Sequence, residues 1–172
     1  MSNAIGIVRF STSERKSMCT GFLVAASWAV TAGHCRPGSG EPMGEWLAGP
    51  SEALAHTSVE IRRWVVHPQI DVALVELSRN VGEFLPVGLH RQDPTIMIGS
   101  RAEIAGFGAS EDSQGERRFA VVKVADVTET YVLTAGSKAK GRYRAASSFP
   151  RTPDGGRRMH RVPGGASLIE AA

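Results

Sequence analysis

Short apolar runs, closely spaced and separated by turn-forming residues, constrain the fold of this chain most strongly. These runs lack the 3.6-residue period of an amphipathic helix. They occupy residues 5–10, 20–26, 27–32, 59–62, 64–66, 71–77, 101–108, 119–127 and 130–134. Nineteen glycines and nine prolines among 172 residues provide many turns between them. The pattern predicts an all-β fold, an antiparallel barrel or sandwich.

Length and composition allow a packed core in one domain or in two small ones, with 42% hydrophobic and 22% charged residues. Residues 78–94 read as a polar, proline-bearing connection, so we predict one domain over residues 1–90 and a second over residues 91–172. No apolar run approaches the roughly 18 residues of a membrane span. The N-terminus lacks the basic and apolar segments of a secretory signal. We therefore expect no membrane partner.

Residues 137–163 form a basic segment that differs in composition and charge from the rest of the chain. They hold eight Lys or Arg residues against one acid, Asp154, whereas the whole chain carries a net charge of only +3. Basic stretches are one signature of nucleic-acid contact. Only Tyr143 and Phe149 interleave this stretch with aromatic rings, so we predict no nucleic-acid partner and interpret the segment as atypical or disordered.

The chain has two cysteines, Cys19 and Cys35, which permit one disulfide. They flank two apolar runs that can lie side by side, and a bridge between them implies an oxidising compartment. The alternative is a pair of reduced thiols in the core. No paired Cys/His spacing accompanies them, so we predict no metal site, and no motif indicates a cofactor.

His34 and Asp71 are the candidates for chemistry. His34 follows a strand-like run beside Cys35, and Asp71 opens the apolar run 71–77. A serine hydrolase needs a histidine to accept the nucleophile's proton and a carboxylate to orient that histidine. A carboxylate buried at the start of a strand needs a partner, which favours pairing with His34. The alternatives are a structural histidine and an aspartate that caps a strand or turn.

Three motifs in order resemble those of trypsin-like, chymotrypsin-fold serine proteases (peptidase family S1). Residues 19–25 (CTGFLVA) and 30–35 (VTAGHC) resemble the segments around that family's catalytic histidine. His67-Pro68 followed by 71–77 (DVALVEL) resembles the segment with the catalytic aspartate. Residues 105–108 (AGFG) resemble an Ala-Gly-Trp-Gly turn early in the second barrel. The resemblance covers roughly residues 5–136.

The resemblance implies two antiparallel six-stranded β-barrels, with the active site between them and the second barrel incomplete in this chain. It implies His34 as general base and acid, Asp71 as its orienting carboxylate, and a Cys19–Cys35 disulfide beside them. The implied activity is that of a serine endopeptidase acting through an acyl-enzyme on protein or peptide substrates. The family and the expected disulfide imply a secreted or periplasmic monomer, although this chain shows no signal peptide.

The nucleophile is where the chain departs from the family. The family serine lies in a Gly-Asp-Ser-Gly-Gly motif, and aligning Gly164 and Gly165 with its last two glycines puts Pro163 at the serine position. Proline has no hydroxyl and no backbone N–H for an oxyanion hole. Ser167 is the nearest serine and a weak candidate, so the nucleophile is unknown. Both ends of the chain also look short against the family.

Three explanations fit this departure. The first is a sequencing error or frameshift that alters residues 137–163. The second is a non-catalytic protease homologue that binds peptides or proteins. The third is an atypical serine that acts as the nucleophile. We expect a trypsin-like serine endopeptidase by family that is inactive or impaired as written. The peptide- or protein-binding module is the alternative function.

Overall fold

The computed structural model describes residues 4–13, 16–108, 115–128 and 131–135, together with the backbone of two short strands at 145–146 and 168–171. The strands are β1 (Ile5–Ser11), β2 (Lys16–Ala25), β3 (Trp28–Thr31), β4 (Glu45–Ala48), β5 (Thr57–Val66), β6 (Ala73–Leu77), β7 (Arg101–Gly106), β8 (Arg118–Val127), β9 (Tyr131–Ala135), β10 (Ala145–Ala146) and β11 (Leu168–Ala171). The helices of this described part are two short 3-10 turns, Gly33–Cys35 and Pro94–Met97. None of the described helices is long and apolar enough to cross a membrane. The predicted all-β class is confirmed.

The first six strands form a closed antiparallel barrel in the order β1-β2-β3-β6-β5-β4. The barrel closes where β1 pairs with β4, with Val8 opposite Trp46. Within the barrel, the paired strands that lie farthest apart in the sequence are β3 and β6, in which Thr31 pairs with Ala73. The predicted N-terminal barrel of the chymotrypsin type is therefore present.

A bulge in β5 explains why its sequence reads as two separate runs. Val59, Ile61 and Trp64 are buried, while the residues between them face outward. The pairing with β6 shifts register between Ile61 and Arg63. A bulge adds one residue to the strand, so the residues after it that point inward are shifted by one position along the sequence. Trp64 therefore still points into the core, in a single strand, Thr57–Val66.

The barrel core is built around two buried tryptophans. Trp46 is fully buried and makes an edge-to-face contact with Phe84, with 5.6 Å between ring centroids. Gly6 lies against this indole so closely that a Cβ added there would come 2.5 Å from Trp46 ring atoms. Trp64 donates its indole N–H to the Met43 carbonyl at 2.9 Å. Both tryptophans are thus packing residues of the barrel.

The second sheet is open and has five strands in the order β10-β9-β8-β7-β11. Its buried face holds small and β-branched side chains in alternation along the strands: Ala102, Ile104, Val122, Val124 and Val132. This arrangement confirms a partial second barrel. The division of the chain at residue 90 stays a prediction, and most of the basic segment 137–163 lies outside the described residues.

Barrel and sheet meet through an apolar cluster and a buried hydrogen bond. Ile5, Ile7 and Leu47 of the barrel pack with Ala105 and Phe107, at and beyond the end of β7. The Thr20 hydroxyl of β2 accepts the backbone N–H of Phe107 at 2.9 Å.

Backbone pairing joins the same two units. Glu52 N–H donates to Gly115 O at 3.0 Å, and Arg117 N–H donates to Pro50 O at 2.8 Å. The barrel and the second sheet are therefore joined by backbone hydrogen bonds as well as by side-chain contacts.

A network of charged side chains ties β1, β2 and β4 together on the barrel surface. Arg9 bonds Glu45 at 2.7 Å and also bonds Glu52, which accepts from Lys16 at 2.8 Å. Partial burial opposes ionisation of Glu45, but hydrogen bonds from Ser58 and Arg9 outweigh it and hold its pKa below the ordinary value. The hydrogen bond from Lys16 lowers the pKa of Glu52, and the bond from Arg9 lowers it further, although partial burial acts in the opposite direction. Both carboxylates are thus favoured in the ionised form.

Candidate functional site

The pairing of β3 with β6 brings His34 and Asp71 together. His34 lies in the 3-10 turn just after β3, and Asp71 lies two residues before β6 begins. In an antiparallel pair, the end of one strand lies beside the start of the other. Because Thr31 pairs with Ala73, residues 37 positions apart become neighbours at one end of the barrel.

Both oxygens of the Asp71 carboxylate bond to His34. Asp71 Oδ1 accepts the backbone N–H of His34 at 2.8 Å, and Asp71 Oδ2 lies 2.7 Å from His34 Nδ1. An ionised carboxylate only accepts hydrogen bonds, so in the neutral ring Nδ1 carries the proton and Nε2 has the lone pair. The ring is thereby held in one tautomer and one orientation. Among the described residues, Asp71 is the hydrogen-bond partner of the His34 ring.

Asp71 does bond to His34, but the expectation of a buried carboxylate at the start of a strand is wrong. Asp71 does not open a strand: β6 begins at Ala73, and the Asp71 side chain is 44% exposed. The His34 side chain is 49% exposed. The pairing therefore comes from the placement of the two loops by β3 and β6, and not from the cost of a buried carboxylate.

A histidine that sequence reasoning left without a role shapes the turn that carries Asp71. His67 Nδ1 accepts the backbone N–H groups of Gln69 and Ile70, each at 3.2 Å. The backbone of His67 donates to Val72 O at 2.9 Å, which closes the turn. Pro68 removes one donor there and limits the backbone. The His67-Pro68 pair in the sequence is the signal for this turn.

Gly33 allows His34 and the Asp71 turn to approach closely. A Cβ added at Gly33 would lie 3.2 Å from Asp71 Oδ1 and 3.3 Å from the Val72 nitrogen. Such contacts are tighter than most side chains accept, so a larger residue here has to displace the Asp71 turn.

A disulfide between Cys19 and Cys35 anchors the other side of the His34 loop, as the sequence predicts. It links β2 to the 3-10 turn with a Cα–Cα distance of 6.3 Å, within the usual range for a disulfide. Cys35 is buried at 2% exposure. His34 therefore sits between a covalent anchor and a bidentate carboxylate.

The weak nucleophile candidate is not part of the site as described. Ser167 lies outside the described residues, as do Pro163, Gly164 and Gly165. The site as described therefore contains the His34 imidazole and the Asp71 carboxylate that bonds to it.

Comparisons with known proteins agree with the fold and the motifs. The chain is 31% identical over 136 residues to an uncharacterized peptidase of Corynebacterium glutamicum (strain R), covering 72% of this chain and 45% of that protein. It is 35% identical over 105 residues to human Serine protease 56, covering 54% of this chain and 17% of that protein. The chain thus spans less than half the length of these relatives.

A solved structure of GrC superposes with a TM-score of 0.67 at 19% identity, covering 86% of this chain and 79% of the other, which supports the shared fold. The family model described as Trypsin matches residues 4–146. Because that match covers most of the sequence, the chain belongs to the trypsin family, a family of peptidases.

Proposed function

We propose that the protein is a serine endopeptidase in which His34 acts as general base and acid and Asp71 orients it. The observation that supports this most directly is the double hydrogen bond from Asp71 to the backbone and ring of His34. That arrangement favours the Nδ1–H tautomer and leaves Nε2 to accept a proton. The half-exposed ring is accessible to a substrate from solvent.

In the proposed reaction, His34 Nε2 accepts the proton of a serine hydroxyl as the serine oxygen attacks a peptide carbonyl carbon. The imidazolium, stabilised by ionised Asp71, donates that proton to the departing amine and leaves an acyl-enzyme. Water then attacks the acyl group, with His34 accepting its proton and returning it to the serine oxygen. Proteins or peptides are the proposed substrates.

We propose further that the chain as given has little or no proteolytic activity. The family serine position carries Pro163, and Ser167 is the weak candidate that remains. The same observation favours the second candidate function, a protease homologue that binds a peptide or protein without cleaving it. Retention of a peptide without turnover distinguishes that function from proteolysis.

NMR of ¹⁵N-labelled histidine tests the role of the pair. The neutral His34 ring is expected to carry its proton on Nδ1, and Asp71→Asn is expected to move it to Nε2, because the amide can donate to Nδ1. His90→Ala, on an exposed position of the connecting segment, is the matched control and leaves the His34 signals unchanged. An Asp71→Asn variant with the wild-type tautomer would refute the orienting role.

A fluorophosphonate probe and casein hydrolysis test the activity. We expect no stoichiometric labelling of the folded chain, and casein cleavage no faster than that of His34→Ala. Labelling that His34→Ala abolishes and His90→Ala retains would contradict the proposed impairment. Loss of that labelling in Ser167→Ala would then identify the nucleophile.

The Cys19–Cys35 disulfide supports a secreted or periplasmic location, because disulfides persist in oxidising compartments. We also propose a monomer with no nucleic-acid or membrane partner. A thiol titration of protein isolated from its natural source should find no free thiol, and light scattering should give the mass of one chain. Two free thiols per chain would contradict the proposed location.

A further inference from the structure

Three metal-binding side chains, two on the His34 turn and one on β2, lie close together. The sulfurs of Cys19 and Cys35 and one ring nitrogen of His34 all lie within 4.8 Å of one another. Thiolate and imidazole are the ligands that zinc prefers in proteins. Both sulfurs are joined in the disulfide, however, and only thiolates are effective ligands. The set of ligands therefore depends on the redox state of the cysteines.

We propose that reduction of the Cys19–Cys35 disulfide creates a binding site for a thiophilic divalent cation, Zn²⁺ above all, with His34 as the third ligand. A dithiol supplies two electrons and two protons to the disulfide and becomes a cyclic disulfide itself. The two protein thiols formed then lose two protons as they bind the cation. The product is a Cys2His site with a fourth position for water.

The backbone already spaces the ligands for such a site. Two thiolates bound to one zinc at about 2.3 Å each lie about 3.8 Å apart in a tetrahedral arrangement. The Cα atoms of Cys19 and Cys35 are 6.3 Å apart, so rotation of the two side chains can open that separation without moving the strands. The half-exposed His34 ring leaves a path from solvent.

Asp71 prepares His34 for this role. Metal-bound histidines commonly donate their other ring N–H to a carboxylate, which orients the ring and strengthens the ligand. Asp71 Oδ2 already holds Nδ1 at 2.7 Å, so Nε2 is the nitrogen available to an ion. The carboxylate that would orient a general base would therefore also support a metal ligand.

Burial of the sulfur atoms favours an ion once they are reduced. Cys35 is 2% exposed, and Cys19 is partly buried against the barrel core. Buried thiols stay protonated, because isolated thiolates there are costly. A divalent cation that displaces the two protons neutralises both thiolates inside the folded barrel.

Binding of the ion would also inhibit proton transfer by His34, and only when the disulfide is reduced. The consequence rests on the proposed function, because the ion takes the Nε2 lone pair that proton transfer needs. Binding of the ion itself does not depend on peptide hydrolysis, so the two can fail separately.

Cobalt absorption spectroscopy tests the site directly. The chain is reduced with a dithiol, desalted without air and titrated with Co²⁺, and Zn²⁺ then displaces the Co²⁺. We expect one equivalent to bind with a thiolate-to-cobalt absorption band, which the oxidised chain lacks. His34→Ala should weaken Co²⁺ binding by at least about tenfold, because even the loss of a hydrogen-bond partner of a metal ligand lowers the affinity by about that factor. His90→Ala should bind as wild type does.

Several results would overturn the proposal. One is a reduced chain that keeps its barrel circular dichroism and binds no Co²⁺, and another is equal affinity in His34→Ala and wild type. Loss of the barrel signal on reduction would also overturn it, since the site needs the folded loop. Asp71→Asn gives a second readout: it should weaken Co²⁺ binding by about 10- to 100-fold while the thiolate band remains. Unchanged affinity there would refute the supporting role of Asp71.

Discussion

Replacement of Thr20 by valine should loosen the joint between the barrel and the second sheet. The Thr20 hydroxyl accepts the Phe107 N–H at 2.9 Å across 87 residues of sequence, and both residues are buried. Valine keeps the shape of threonine and removes the acceptor. The Phe107 N–H is then left in the interior without this partner. A buried polar group without a partner costs about 1–3 kcal/mol.

The expected loss of unfolding free energy for Thr20→Val is therefore about 2 kcal/mol. With a urea dependence of about 2 kcal/mol per molar, the unfolding midpoint should fall by about 1 M. Tryptophan fluorescence is a suitable probe because the three tryptophans all lie in the barrel. Amide hydrogen exchange at Phe107 should also become faster, which assigns the loss to this bond.

Thr20→Ser is the matched control because it keeps the hydroxyl and loses one methyl group. Burial of a methylene-sized group is worth about 0.8 kcal/mol, so serine should cost less than valine. The reasoning is refuted if valine is as stable as wild type, or if valine is no less stable than serine. Unchanged exchange at Phe107 would refute it as well.

Two further predictions concern the barrel itself. The double variant Cys19→Ser, Cys35→Ser should lose about 3 kcal/mol of unfolding free energy, from the chain entropy of a loop whose ends are 16 positions apart. A change below about 1 kcal/mol in urea unfolding would contradict that reasoning. The lowered pKa values of Glu45 and Glu52 stabilise the folded state above their ordinary value of 4.5, and this contribution is lost as the pH falls through the lowered values. Urea unfolding from pH 7 to pH 3 should therefore show a steeper loss in wild type than in Arg9→Met, and equal slopes would count against the network.

Most strands could be predicted from local patterns. The apolar runs at 5–10, 101–108 and 119–127 correspond to β1, β7 and β8 within a few residues. Buried and exposed residues alternate in the middle of β8, whereas β1 is buried along most of its length. Extended apolar or alternating runs of this kind are local properties of the chain.

Strand β4 was missed, because its four residues follow a glycine- and proline-rich loop and offer too short a pattern. The bulge in β5 was missed for another reason. A shift of register between Ile61 and Arg63 is defined only against the partner strand β6.

The roles of neighbouring side chains show the same limit. Thr20 carries no sequence signal that separates it from an ordinary polar residue, and the His67-Pro68 pair indicates a turn without showing what the His67 ring bonds to. Thr20 matters because Phe107, far along the chain, reaches its hydroxyl. His67 matters because its ring closes the turn before Asp71. Contacts of this kind depend on the path of the folded backbone.

The sequence by itself determined the fold class, the trypsin-like motifs and the identity of His34, Asp71 and the two cysteines. These are properties of residue type, order and spacing, and they can be read from the sequence without a structure. Only the tertiary structure decided that Asp71 bonds both the backbone and the ring of His34, with both side chains about half exposed. The physical reason is the pairing of β3 with β6: Thr31 opposite Ala73 brings two distant loops to one end of the barrel, and no local pattern encodes that distance.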